Sequence, residues 1–279
     1  MTRRIRRAER RRRGQAFLRR TLLFLTALVV LAGLASHLTG RDRMRMEAVT
    51  APTATPVTAA FDETVSSREV TLPAETWYAI QTGVYSTEEA ARERRNAYAD
   101  RGAPGYAAQD GGKWRVFIAC YGEKSDADSV RDRLRNLQQV ESYVHTWACP
   151  EIALRLTGMN GQLDVAEAGL ALPVQAARLL RDEAIALDAG ERSVEGVQGS
   201  IQALGERIGL WADTARQRFP VPYPALIEQI LTMAEGWPAR EQTLAEADDA
   251  TALSAEMKRQ AMDLFAWTRL MRGELAGNP

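Results

Sequence analysis

The strongest pattern along the chain is an unbroken apolar run. Thr21 to Leu38 reads TLLFLTALVVLAGLASHL, 18 residues with no charge before Arg41. As a helix this run is roughly 27 Å long, enough for a bilayer core. It exceeds most signal-peptide cores and reads as a retained transmembrane helix. Gly33-Leu34-Ala35 is a tolerable cleavage site, and a cleaved signal would leave the remainder on the same side of the membrane. Residues 39–75 then lose periodicity and are rich in Thr, Ala and Pro (APTATPVTAA), the composition of a disordered linker. As a coil this linker spans on the order of 35 Å.

From Trp77 the period changes to that of strands. WYAIQTGVY predicts a strand, and Ser86 opens a helix (STEEAARERRNAYADRG) that stops at Gly102 and Pro104. GYAAQDGGKWRVFIACY predicts a hairpin turning at Asp110-Gly111-Gly112. Ser125 opens a second helix, and VESYVHTWA closes the unit as a strand. Ser86 with Glu89, and Ser125 with Asp128, each read as a capping box. A weak repeat aligns Ala79–Tyr85 with Arg115–Tyr121 at an offset of 36 residues. The order β-α-β-β-α-β over 76–149 predicts an α+β, ferredoxin-like sheet with both helices on one face and the other face open.

Strand alternation assigns the faces. Tyr78, Ile80, Thr82 and Val84, with Val116, Ile118 and Cys120, suit packing under the helices. Trp77, Gln81, Tyr85, Arg115, Phe117 and Tyr121 fall on the open face, and Tyr143, His145 and Trp147 of the last strand share one face, with alternation alone leaving open which of the two it is. Aromatic, amide and guanidinium groups beside small residues make a flat binding platform. In the expected strand order 4-1-3-2, Cys120 and Cys149 end non-neighbouring, oppositely directed strands, so both are predicted free thiols.

Residues 160–279 show helical periodicity only. Val194, Val197, Ile201, Leu204, Ile208, Trp211 and Ala215 recur at alternating spacings of three and four, a coiled-coil-like seam. Further stripes run through Val174, Ala177, Ala184 and Leu187, and through Met257, Ala261, Leu264 and Phe265. An antiparallel bundle of three to five helices is the simplest reading. Its role stays open between a spacer, a homodimerisation stalk, and a docking module for a protein partner.

Charge fixes orientation. The whole chain balances 36 basic against 36 acidic residues, but residues 1–20 hold ten arginines and only Glu9 as an acid. A basic tail directly before an apolar span places the N-terminus in the cytoplasm and the folded parts outside the membrane. Without the tail, 26 basic face 35 acidic residues, which argues against nucleic acid as a partner.

The motif aromatic–x–hydrophobic–Gln–x–Gly–x–aromatic–Ser, here Tyr78, Ile80, Gln81, Gly83, Tyr85 and Ser86, resembles the first half of a SPOR domain (sporulation-related repeat). Arg115, Val116, Ile118, Ala119 and Tyr121 resemble its third strand. Ala119-Cys120-Tyr121 departs from the Gly-Pro-Phe frequent in the family. The resemblance covers about residues 75–149. It implies binding of peptidoglycan glycan strands denuded of stem peptides, at division septa or in spore envelopes. Trp77, Gln81, Tyr85, Arg115, Phe117, Tyr121, Tyr143 and Trp147 would be the glycan-binding set.

Chemistry for catalysis is not evident. The two histidines are His37 and His145, and no HExxH, G-x-S-x-G or GK[ST] motif occurs. Glu88-Glu89 is better explained by capping than as a carboxylate pair across a cleft. The expectation is therefore a non-enzyme without cofactor or metal. The alternative function is a structural scaffold of the division or sporulation machinery acting through the C-terminal helices. An RNA-binding sheet shares the element order but conflicts with the orientation of the span.

Overall fold

The computed structural model describes residues 64–277. The predicted basic tail and transmembrane helix lie outside these residues, as does most of the predicted linker. Among the described residues no helix is long and apolar enough to cross a membrane.

Among the described residues six strands and seven helices follow in chain order. β1 (Val65–Leu72) and β2 (Glu75–Tyr85) precede α1 (Glu88–Ala99). β3 (Tyr106–Asp110) and β4 (Lys113–Tyr121) precede α2 (Lys124–Gln138), and β5 (Tyr143–Cys149) and β6 (Ile152–Met159) complete the strands. α3 (Asn160–Asp188), α4 (Val194–Arg218), α5 (Ala225–Glu235), α6 (Trp237–Ala245) and α7 (Ala250–Leu275) form the helical half. The main sheet has the order β3-β4-β2-β5, which is the order expected from the sequence. β4 and β5 both pair antiparallel to β2. They therefore run in the same direction, contrary to expectation, yet β2 separates them, and Cys120 and Cys149 are free and buried. The hairpin turns where expected, with Gly111 and Gly112 both at positive φ (57° and 70°), as a two-residue primed turn requires.

Two local expectations shift. The first helix is capped by Thr87, whose side chain accepts from the Ala90 amide, one residue later than Ser86. The second starts at Lys124 with no side-chain cap.

A larger correction concerns the predicted linker. Its last residues form β1, which pairs with the unforeseen β6 as a two-stranded ribbon. Only Val70 and Leu72 of β1 are buried, while Arg68 reaches Asp164 and Glu167 on α3. Such a short polar strand carries little periodic signal. Leu72 faces Ile152, and three residues later on one side and three earlier on the other Glu75 faces Cys149, so one register continues from the ribbon into β2–β5. Pro73 and Pro150 stand at the break, where a missing amide interrupts the ladder.

One hydrophobic cluster lies between the main sheet and α1–α2, built on Ile80, Val116, Ile118, Tyr98 and Leu134. A second, larger cluster runs from the opposite sheet face into the helical half. The 3-4 seam of α4 is spent inside the chain: Val197, Ile201, Leu204, Ile208 and Ala215 are buried in that cluster, and Trp211 donates to the Val165 carbonyl at 2.9 Å. Gly169 permits the contact, since a Cβ there would stand 2.4 Å from the Trp211 ring. A homodimer built on this seam thus loses its basis.

Candidate functional site

The face expected to lie open is covered. Trp77 is fully buried between Phe265 of α7, stacked at 4.3 Å between ring centroids and 12° between planes, and Arg181 of α3, whose guanidinium lies 4.6 Å from the Trp77 centroid. Trp147 meets Phe265 edge-on at 5.3 Å and Phe117 at 5.3 Å. Trp77 donates through Nε1 to Glu75, which also binds Arg178 of α3. Burial pushes the Glu75 carboxyl up, but hydrogen bonds from Arg178 and Trp77 outweigh it and hold the group below the usual range. Arg272 of α7, itself buried, donates to the carbonyls of Pro73 and Pro150 and so joins both ends of the sheet module to the bundle.

The residues named from alternation accordingly divide. Trp77, Phe117 and Trp147 lie on the expected face but under α7. Tyr85 and Tyr121 instead pack against the cluster on the α1–α2 side. The physical reason is a pair of irregularities between β2 and β4. Ile80 faces Ala119, Gln81 faces Phe117 and Gly83 faces Val116, so Ile118 and Thr82 have no opposite residue. Each extra residue inverts the alternation beyond it. Cys120 moves for the same reason to the face of Trp77 and Phe117, and burial there raises its thiol to about 12.

What remains beside α7 is a polar row crossing all four strands: Asp110 on β3, Arg115 on β4, Gln81 on β2 and Tyr143 on β5. Arg115 donates to Asp110 at 3.1 Å and to Gln81 at 2.8 Å, and Gln81 stands opposite Tyr143 in the β2–β5 ladder. Four strands about 4.8 Å apart give the row a length of roughly 14 Å. Gln81 is 8% exposed and Tyr143 61% exposed. His145 contributes Nε2, 3.1 Å from Asp110, and its ring stacks on Phe117 at 5.6 Å. Because the carboxylate accepts, Nε2 donates. Arg269 of α7 closes the cluster, with both terminal nitrogens 3.2–3.3 Å from the other Asp110 oxygen.

The electrostatics agree with this arrangement. Burial raises Asp110, yet the Arg269 hydrogen bond and the charges of Arg269, His145 and Arg115 outweigh it, leaving the carboxyl below its usual range. Burial and the Arg115 charge depress His145. Both folded values are lowered, so each group adds stability above its unfolded value, near 6.5 for His and 3.9 for Asp, and that stability is lost as pH falls. Sequence reasoning placed Asp110 in a turn and had no signal for Arg269, which is 159 residues away. Among the described residues no cluster of three or more metal-ligating side chains occurs.

The fold and the row define an α+β recognition module whose covered face is packed on helices. Residues 71–146 match the SPOR domain family model, so this segment of the chain is a SPOR domain. The SPOR domain is a peptidoglycan-binding module rather than a catalytic one, so cell-wall binding is the general function of the α+β half. No curated protein and no solved structure matches the chain.

Proposed function

We propose that this chain is a non-enzymatic wall tether. It is anchored by the apolar run at 21–38, and its SPOR domain holds denuded glycan strands of septal or spore-envelope peptidoglycan. The observation that carries the reading is the SPOR match over a sheet that keeps a polar row, Tyr143–Gln81–Arg115, beside the helices.

Magnitudes favour the polar row over the covered face as the docking place. Trp77, Phe117, Trp147 and Phe265 are each fully buried. Rings of this kind bury about 150–250 Å² apiece, and at about 25 cal/mol per Å² uncovering four of them costs roughly 15–25 kcal/mol. Micromolar binding returns about 8 kcal/mol in total. A sugar strand therefore does not displace α7 and docks along the row. Tyr143, 61% exposed, offers a ring face to sugar C–H groups, and Gln81, whose carbonyl holds Arg115, sets the guanidinium beside it.

The test is cosedimentation of the full chain, solubilised in detergent, with sacculi before and after an amidase removes the stem peptides. Binding should rise after amidase treatment. It should weaken about tenfold in Tyr143→Ala or Gln81→Ala, the loss of one good contact. Failure to bind either preparation would overturn the proposal and return attention to the helices as a scaffold for a protein partner.

A further inference from the structure

The polar row carries more positive than negative charge. Among the described residues Asp110 is the carboxylate in direct contact with Arg115, Arg269 and His145. Two guanidinium groups share five donors each, against two oxygens. The arrangement is a partly open site: side-chain exposure is 18% for Asp110, 23% for Arg115, 21% for His145 and 29% for Arg269. Arg269 is fixed on a second side by the Trp147 ring, 5.5 Å from its guanidinium carbon. Exposed Leu270 follows it on α7, and exposed Tyr143 lies at the end of the row.

We propose that Arg269, supplied by the helical bundle and lying outside the SPOR domain, completes with Arg115 a two-guanidinium seat for a sugar-borne carboxylate. In the unliganded chain Asp110 holds the two side chains in place. The proposal rests on the wall-binding reading and specifies its ligand chemistry. In an intact strand the lactyl group of each muramyl residue is amide-linked to a stem peptide, uncharged and crowded. Removing the peptide leaves a free carboxylate. A guanidinium donates two parallel hydrogen bonds to a carboxylate and none of that kind to an amide. The bundle thereby contributes selectivity for denuded strands as well as covering the aromatic face.

The experiment compares the full chain with Arg269→Ala and Asp110→Asn on three substrates. These are intact sacculi, amidase-treated sacculi, and amidase-treated sacculi whose carboxylates have been capped with an uncharged amine. Arg269→Ala should bind amidase-treated sacculi about tenfold more weakly, the loss of one charge-assisted contact. It should bind capped sacculi as the parent does and show a shallower salt dependence. Asp110→Asn removes the internal competitor and should bind amidase-treated sacculi several-fold more tightly. A merely structural cluster would weaken binding in both variants and on every substrate alike. Parent binding that survives carboxylate capping, or Arg269→Ala binding equal to the parent, would overturn the assignment and leave the wall-binding reading standing. Absence of parent binding to every substrate would remove both. Should Arg269→Ala prove unfolded by its melting curve, Asp110→Asn decides alone, with tighter binding in favour and equal or weaker binding against.

Discussion

Phe265→Ala should lower the free energy of unfolding by about 3–5 kcal/mol, the usual cost of deleting a buried phenylalanine ring. Phe265 is fully buried, stacks on Trp77 and meets the edge of Trp147. Its loss leaves a cavity that neither rigid indole can fill. The same reasoning predicts that the sheet and the bundle unfold together. The larger hydrophobic cluster runs without interruption from Trp77, Phe117 and Trp147 into Leu180, Met257 and Phe265. Denaturant titration followed in the near ultraviolet, which reads the tryptophans, and in the far ultraviolet, which reads the helices, should give coincident transitions. Two separated transitions, or a loss below about 1 kcal/mol, would show that the covered face contributes little to the fold.

Arg272→Ala is the second large effect, about 2–3 kcal/mol, because charge-assisted hydrogen bonds carry more than neutral ones. Arg272 is 2% exposed, and its partners are the carbonyls of Pro73 and Pro150. Both prolines are exposed residues, so water replaces part of what the guanidinium gives, and the larger losses expected of a sealed site do not apply. Arg272→Met keeps most of the buried volume without the donors and should recover the packing share alone. Equal stability of Met and parent would mean that the two carbonyl contacts contribute nothing. A consequence for function also follows. Pro73 and Pro150 are the entry and exit of the sheet module, so the clamp fixes how the polar row sits against Arg269. Arg272→Met should therefore weaken binding to amidase-treated sacculi even where the fold survives.

These effects explain why the bundle is more than a spacer. It buries the aromatic half of the sheet, fixes both ends of the module, and brings a guanidinium to the half that stays accessible. Of the expected glycan-binding set, Gln81, Arg115 and Tyr143 stand in the polar row beside α7, and the proposed docking place adds Asp110, His145 and Arg269, positions with no binding role in the sequence reading.

The sequence by itself determined what short-range physics controls. Alternation and turn residues set the β-α-β-β-α-β order, the Asp110-Gly111-Gly112 hairpin and the strand order that keeps Cys120 and Cys149 apart. Periodicity near 3.6 set the helical half. The Gln81 and Arg115 motifs pointed to the domain family whose model residues 71–146 match. Tertiary structure alone decided the rest. Irregular pairing at Thr82 and Ile118 inverts the facing of Tyr85, Cys120 and Tyr121, and no local residue pattern announces an unpaired position in an apolar strand. A face of tryptophan, phenylalanine and small residues reads the same whether a sugar or Phe265 is to lie on it. The 3-4 seam of α4 likewise reads the same whether its partner is another chain or α3. Which surface meets which depends on contacts between residues more than a hundred positions apart, such as Asp110 with Arg269 and Pro73 with Arg272, and these carry no periodic signature.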